Sequence, residues 1–341
     1  MPVYAGPFYS YARTMDAVAE KKSRNSRWSR DPVMGQDGAP LAAYPTERDI
    51  EIFKLLARFH YLPSDYIHAF VGGNQKALLH RLNLLSRKPN LYLARPPQQR
   101  QCADANYRPL TYALDERGAR ALRERDLPVP LKSSRHNFIH ELMIAQIAAS
   151  IELGTRANPA VRLITWRDIL ANPNTPAPTV QLPIPNAVPI SYSFRGEIRS
   201  DQIIADARPF GLERMIDGKR SFLFFPGIEA DCGTEPVDAA DPERSSIAKK
   251  FAAYLAIADQ GIHRSHFGFP NFFVPFITTT SARLNSMMAL VERLTGKQGS
   301  KILLFKTFPA LTSPDRPPPA GAHMLTEPWQ RVRFPPLHLD R

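Results

Sequence analysis

A change of residue pattern at Thr46 limits the folds open to this chain. Residues 46–87 contain three short segments with helical apolar periodicity, separated by Pro63 and by Gly72-Gly73. Residues 91–122 continue with two short runs of strand-forming residues and a fourth helical segment. Three helices, a hairpin and a closing helix are the element order of a winged helix-turn-helix. The sequence therefore predicts such a DNA-binding unit over residues 45–130.

The third helical segment predicts the surface that reads DNA. In a helix-turn-helix, the second helix of the pair enters the major groove, and its first side chains meet the base edges. Polar side chains that can pair with bases or phosphates lie on this segment, and two arginines lie in the predicted wing. These candidate DNA-binding residues are Asn74, Gln75, Lys76, His80, Arg81, Arg95 and Arg100. The alternative is a solvated face that binds another protein.

The charge balance of the chain favours a polyanionic partner. The 341 residues carry a formal net charge of +12, and neutralising phosphates releases their condensed counterions. Charge alone also fits a membrane surface or a merely basic protein, so it supports double-stranded DNA only together with the helical pattern.

Residues 131–308 predict a second domain with a mixed α/β sheet. Helical patterns alternate with apolar runs, and the run Phe222–Ile228 is typical of a strand in the middle of a sheet. Asp201 lies near the start of one predicted strand, and Glu229 with Asp231 lies at the end of the next. If those strands are neighbours, Asp201 and Glu229 come together as ligands for Mg²⁺. The candidate catalytic residues are Asp201, Glu229, Asp231, Lys249, Lys250 and Glu141.

This order of residues resembles the PD-(D/E)xK nuclease core, a restriction-endonuclease-like α/β fold. In that core a helix carries Glu, a strand carries Asp, and the next strand carries Glu-x-Lys. Here Asp231 occupies the lysine position, so Lys249 or Lys250 would have to supply the charge. Three interpretations stay open: an active metal-dependent nuclease, a degenerate core that binds DNA or protein, and a set of surface carboxylates.

Several short motifs lie within about residues 45–295, namely Thr46-Glu47-Arg48-Asp49, Leu79-His80-Arg81-Leu82, Tyr112–Gly118, His136-Asn137, Glu229–Glu235 with Lys250 and Tyr254, and Thr278–Asn285. Together they resemble the replication-relaxation family of bacterial mobile-element proteins, which includes plasmid mobilisation (relaxosome accessory) proteins. The resemblance implies binding near a transfer or replication origin, beside a relaxase or a replication initiator. A nicking nuclease and a transcriptional regulator are the competing functions.

The remaining segments complete the expected organisation. Residues 1–44 contain the basic run Lys21–Arg30 and predict a partly disordered arm. The proline-rich residues 309–341 predict an extended or disordered tail.

The two cysteines, Cys102 and Cys232, have neither the spacing of a zinc site nor that of a disulfide framework. No segment is long and apolar enough to span a membrane, so we expect a soluble cytoplasmic protein. The oligomeric state stays open, a homodimer included.

Overall fold

The computed structural model describes most of the chain in two compact units. The described residues are 27–102, 104–129, 137–238, 246–313 and 315–341. Contacts between Cα atoms group residues 1–58 and 71–131 into one unit, and residues 59–70 and 132–341 into the other. Residues 59–70, expected within the winged helix, thus group with the second unit. Most of the predicted basic arm lies outside the described residues.

The described helices and strands are short and alternate along the chain. In chain order they are α1 (Glu47–Phe59), β1 (Leu62–Pro63), α2 (Ser64–Val71), α3 (Gln75–Leu85), β2 (Leu93–Ala94), β3 (Thr111–Leu114), α4 (Glu116–Arg123), α5 (Phe138–Ala157), β4 (Val161–Ile164), α6 (Trp166–Leu170), α7 (Ala177–Val180), β5 (Val188–Phe194), β6 (Glu197–Ile203), β7 (Phe210–Ile216), β8 (Lys219–Phe225), β9 (Glu229–Asp231), α8 (Ile247–Asp259), α9 (Ile262–Phe267), β10 (Val274–Thr278), α10 (Ser281–Leu294), β11 (Leu303–Thr307), α11 (His323–Thr326), β12 (Trp329–Arg331) and β13 (Phe334–Leu337). None of the helices in the described part of the chain is long and apolar enough to cross a membrane. The predicted mixed α/β fold is confirmed.

Local side-chain caps fix where the helices of the first unit begin. The Asp49 carboxylate accepts hydrogen bonds from the Thr46 amide at 2.7 Å and from the Thr46 hydroxyl at 2.8 Å, which stabilises the first turn of α1. Asn74 caps α3 by accepting the Ala77 amide at 2.9 Å. Asp115 caps α4 by accepting the Glu116 amide at 2.8 Å. These positions agree with the helix starts that the sequence predicts.

A buried glutamine organises the loop between β2 and β3, which pair in antiparallel fashion. The Gln99 side chain lies in a 3-10 helix, Pro97–Gln101. Its amide nitrogen donates to the carbonyl oxygens of Pro96 (2.9 Å) and Thr111 (3.0 Å), and its amide oxygen accepts the Thr111 amide (2.8 Å). The predicted wing loop is therefore held to β3 of its own hairpin by two hydrogen bonds, and the third lies within the loop.

The second unit is built on a five-stranded sheet with the order β13-β12-β11-β10-β9. Strands β9, β10 and β11 run parallel, and β12 and β13 add antiparallel strands at one edge. The helices α8 and α9 lie between β9 and β10 in the chain, as parallel pairing requires. Alternation along β10 directs Phe276 into one apolar cluster and Ile277 into another, so both faces of the sheet are covered.

The predicted extended or disordered tail is wrong for the described residues 309–313 and 315–341. This segment forms α11, β12 and β13, and Trp329 is fully buried. The indole nitrogen of Trp329 donates to the Met324 carbonyl oxygen at 3.0 Å. The prediction followed the proline content, but the tail also supplies apolar side chains that cover one face of the sheet. These are Met324, Leu325, Trp329 and Leu339. Burial of these side chains offsets the entropy of ordering the tail.

Candidate nucleic-acid interface and buried acidic cluster

The outward face of α3 carries polar side chains in solvent. Gln75, Lys76 and His80 are exposed, whereas Leu78 and Leu82 on the opposite side are buried. Asn74 is exposed too, but its side-chain oxygen is used as the helix cap. We call Gln75, Lys76 and His80 the α3 surface. These three residues keep the orientation that the sequence predicts for a DNA-reading helix.

Arg81 differs from the other predicted DNA contacts because it is bound within the fold. Its Nε lies 3.1 Å and 3.2 Å from the two carboxylate oxygens of Asp49, and its Nη2 lies 2.7 Å from Oδ2. The same Nη2 donates to the Tyr44 carbonyl oxygen at 2.7 Å. Burial raises the pKa of Asp49, but the hydrogen bonds from Arg81 and Thr46 outweigh it and hold that pKa below its ordinary value. Arg81 therefore ties α3 to α1, which is at odds with its expected role as a base contact.

The two predicted wing arginines have different surroundings. Arg95 donates from Nη1 to the Arg27 carbonyl oxygen at 2.6 Å and from Nη2 to the Ser29 carbonyl oxygen. Burial lowers the pKa of the Arg95 guanidinium. Arg100 is exposed, and its guanidinium lies 5.2 Å from the ring centroid of Trp28. Both arginines bind the segment before α1, since Arg100 Nη2 donates to the Trp28 carbonyl oxygen at 3.3 Å. Of the two, Arg100 is the exposed one.

In the second unit, Glu229 is the buried centre of a group of charged side chains whose other members are partly exposed. Its side chain is 3% exposed, and α5 packs against β9. The Lys250 Nζ donates to Glu229 Oε2 at 2.9 Å, and the Tyr254 hydroxyl donates to Oε1 at 2.6 Å. Lys250 and Tyr254 are four residues apart on α8 and so share one helix face.

Asp206 and His140 extend this group. Asp206 Oδ2 accepts the Ala230 amide at 3.0 Å and lies 3.2 Å from His140 Nε2, which is also 2.9 Å from the Ala230 carbonyl oxygen. We call His140, Asp206, Glu229, Lys250 and Tyr254 the buried acidic cluster. Asp206 was missed at the sequence level. The sequence feature that could have indicated it is its position directly after the predicted strand 199–205, because functional residues are common in the loops that follow strands.

The cluster shifts the pKa values of its members. Burial and the charge of Asp206 raise the pKa of Glu229 to about 7, although Lys250 and Tyr254 act in the opposite direction. Burial lowers the pKa of Lys250, but Glu229, Asp206 and Glu235 outweigh it and raise that pKa above its ordinary value. The hydrogen bond to Asp206 raises the pKa of His140. A carboxyl group that titrates near neutral pH is thus held against a lysine that stays protonated.

Asp231 belongs to a separate ion pair. Arg283 donates from Nη2 to Asp231 Oδ1 at 2.9 Å and from Nε to Oδ2, and the Thr278 hydroxyl donates to Oδ2 at 2.7 Å. Oδ1 also accepts the Gly233 amide at 3.0 Å, so the Asp231 carboxylate binds residues of β10, of α10 and of the loop after β9. This geometry joins β9 to its neighbours, and the catalytic role expected of Asp231 stays a prediction.

The prediction that neighbouring strands bring Asp201 and Glu229 together is wrong. Asp201 lies on β6, which pairs with β5, whereas Glu229 lies on β9, which pairs with β10. The tight turn between β5 and β6 commits Asp201 to that hairpin, where its carboxylate accepts the Tyr192 hydroxyl at 2.7 Å. The remaining candidates Glu141 and Lys249 are partly exposed.

The residues present do not fit the Mg²⁺ ion that the nuclease interpretation requires. Mg²⁺ demands nearly octahedral oxygen ligands at about 2.0–2.1 Å. Both oxygens of Glu229 already accept hydrogen bonds from Lys250 and Tyr254. Within the residues that the structure describes, no group of three or more His, Cys, Asp or Glu side chains is arranged to hold a metal ion.

A known protein family matches this chain over most of its length. A family model described as replication-relaxation matches residues 53–271. The chain belongs to the replication-relaxation family. Neither the curated proteins nor the solved structures contain a match to it.

Both candidate sites of this replication-relaxation protein lie within the matched residues. The match begins in α1, includes the α3 surface and all of the buried acidic cluster, and ends after α9 at residue 271. Arg283 and the ordered tail lie beyond it. The family description connects the chain with replication-related functions of mobile elements.

Proposed function

We propose that this replication-relaxation protein binds double-stranded DNA through the α3 surface and the loop between β2 and β3. In this proposal it is a cytoplasmic accessory protein of a bacterial plasmid or other mobile element. It acts in replication-relaxation or conjugative mobilisation, beside a relaxase or a replication initiator. The observation that carries the proposal is the exposure of Gln75, Lys76 and His80 in the first half of a capped helix.

The chemistry of the α3 surface suits the edges and phosphates of a duplex. Gln75 can pair with both N6 and N7 of adenine, and Lys76 can reach guanine or a phosphate. The amino end of α3 adds unpaired amide groups and the positive end of a helix dipole, both of which favour phosphate. Arg100 extends the positive charge to the wing loop. The element order helix, helix, helix, hairpin and helix supports a winged helix-turn-helix as the framework for these residues.

The second unit, in the same proposal, is a degenerate nuclease-like core that binds rather than cuts. Asp206, Glu229 and Lys250 have the residue types of such a core, but Lys250 and Tyr254 bind both oxygens of Glu229. We expect supercoiled plasmid to stay intact with Mg²⁺ or Mn²⁺. Nicking by the wild-type protein that a Glu229→Gln variant loses would overturn this part of the proposal and favour the nuclease.

Footprinting on DNA of the element that encodes the protein tests the main proposal. We expect protection at or near a transfer or replication origin, and an affinity for duplex DNA that falls steeply with salt. Protection at a promoter operator instead would favour a transcriptional regulator. Binding without salt dependence, or without preference for duplex DNA, would refute the α3 surface as a DNA-reading site.

A further inference from the structure

The hairpin of β5 and β6 in the second unit has one edge that is protected and one that is open. Seven residue pairs join the two strands, from Val188 opposite Ile203 to Phe194 opposite Glu197. Arg195 and Gly196 form the turn with φ angles of 55° and 84°, as in a two-residue turn of type I′. The pair that flanks such a turn, Phe194 and Glu197, exchanges hydrogen bonds.

Alternation along the ladder then decides which backbone groups point outward. Hydrogen-bonded and non-hydrogen-bonded pairs alternate in antiparallel strands. Ile198, Ser200 and Gln202 therefore direct their amide and carbonyl groups away from β5. The same rule directs the groups of Pro189 and Ser191 away from β6. The Ser191 carbonyl oxygen does accept Gln260 Nε2 on that side, at 2.8 Å.

The two outer edges differ in how they are covered. On β5, Pro189 has no amide hydrogen, Gln260 binds Ser191, and α8 packs against the strand. On β6, Ser200 and Gln202 are exposed and Ile198 is 79% exposed. Among the residues that the structure describes, β6 pairs with β5 alone. An open edge with this row of outward amide and carbonyl groups is a template for another strand.

We infer that β6 pairs with β6 of a second copy of this chain, antiparallel and with the two-fold axis at Ser200. In this register Ser200 faces Ser200, and Ile198 faces Gln202 of the second copy. These are the residues whose backbone groups point outward, so they form the hydrogen-bonded pairs of the new ladder. The two hairpins then make one four-stranded sheet, and the contact is the same surface in both copies. This inference goes beyond the proposed function and does not depend on it.

The charges of β6 favour this partner and this register, although Arg199 also binds Glu197 of its own strand at 3.0 Å. Centred on Ser200, the pairing places Arg199 opposite Asp201 of the second copy, and Asp201 opposite Arg199. These are non-hydrogen-bonded positions, where side chains on neighbouring strands come closest. Moving the centre to Gln202 places Asp201 opposite Ile203 and removes the charge pairs. Moving it to Ile198 shortens the overlap, because the strand begins at Glu197. The register at Ser200 alone pairs all seven residues of β6.

A cysteine placed on the axis tests the register directly. In Ser200→Cys, the two introduced thiols face each other across Cα atoms about 5.5 Å apart, within the range that a disulfide spans. In the matched control Gln202→Cys, the two introduced thiols are about four residues out of register, roughly 13 Å apart. The natural cysteines Cys102 (buried) and Cys232 (half-buried) are present in every sample, so the wild-type chain serves as the background. Under mild oxidation we expect roughly tenfold more linked dimer from Ser200→Cys than from Gln202→Cys. Equal linking of the two variants would overturn the register.

A charge swap tests the partner. By sedimentation, we expect the wild-type chain of 38.4 kDa to associate into a particle of twice that mass. Asp201→Lys places two positive charges opposite each other, and we expect it to weaken the dimer by roughly tenfold. Arg199→Glu combined with Asp201→Lys restores opposite charges and should restore the dimer. A wild-type chain that is monomeric at all concentrations, or a double variant no better than the single one, would refute pairing through β6.

Discussion

The α3 surface and the buried acidic cluster both contain polar side chains suited to nucleic-acid chemistry, but they differ in what those side chains already bind. Gln75, Lys76 and His80 project into solvent from a helix whose packing relies on leucines. In the cluster, Lys250 and Tyr254 bind both oxygens of the Glu229 carboxylate. The side chains of the α3 surface can therefore contact a partner, whereas those of the cluster bind one another within the fold.

Under the proposed function, this difference separates the proposed DNA-binding surface from a cluster that stabilises the fold. A buried ion pair contributes little net stability over an apolar pair, but breaking it leaves one charge without compensation. Changes in the cluster should therefore appear as loss of stability. Changes on the α3 surface should appear as loss of affinity.

The largest expected effect comes from removing the centre of the cluster. Glu229→Ala leaves Lys250 and the Tyr254 hydroxyl without their acceptor, and we expect the free energy of unfolding to fall by about 3 kcal/mol. Urea denaturation measures the change. Asp259→Ala at the far end of α8, where the carboxylate is exposed, is the matched control and should change stability by less than about 0.5 kcal/mol. Similar losses in the two variants would mean that the cluster does not stabilise the fold.

In the first unit, a variant of Arg81 tests whether this side chain stabilises the fold or binds DNA. Arg81→Ala leaves the buried Asp49 carboxylate without its guanidinium, so we expect a loss of about 2 kcal/mol in unfolding free energy. We also expect the slope of log affinity against log salt to stay unchanged for the folded variant. A slope reduced by about 0.9, the value for one lost phosphate contact, would show that Arg81 binds DNA after all.

The pH dependence of stability gives a smaller effect. Because the pKa of His140 is raised in the folded protein, its ion pair with Asp206 stabilises the fold fully below the ordinary pKa of about 6.5. That contribution is lost as the pH rises through the raised value. Glu229 acts in the same sense, because burial raises its pKa to about 7.

Urea titrations at pH 5.5 and 8.5 check this sign. We expect His140→Gln to destabilise the protein by about 1 kcal/mol at pH 5.5 and by less at pH 8.5. A larger cost at pH 8.5 than at pH 5.5 would contradict a protonated His140 paired with Asp206.

The sequence predicted the elements of both units better than the contacts between their side chains. Helical periodicity and capping residues such as Asn74 and Asp115 act locally, so α3 and α4 begin where expected. The partner of a charged side chain depends on the folded chain instead. Asp49 precedes Arg81 by 32 residues, and no local pattern connects them.

The acidic cluster shows the same limit. Glu229 and Lys250 were predicted from residue type and order, but the aspartate beside them was not. The choice between Asp201 and Asp206 depends on the pairing of β6 with β5, which the turn at Arg195-Gly196 fixes. The proline content of the tail predicts disorder, but apolar side chains of the tail are buried, and Trp329 is the largest of them.

The central claim is that the α3 surface binds duplex DNA, and the salt dependence of Lys76→Ala tests it most directly. Fluorescence anisotropy over a salt series would compare this variant with the wild-type chain and with Lys54→Ala, which removes an exposed lysine from α1 that is paired with Glu51. We expect Lys76→Ala to weaken binding several-fold and to reduce the salt slope by about 0.9, and Lys54→Ala to leave both unchanged. Equal affinity and equal slope for wild type and Lys76→Ala would contradict the claim.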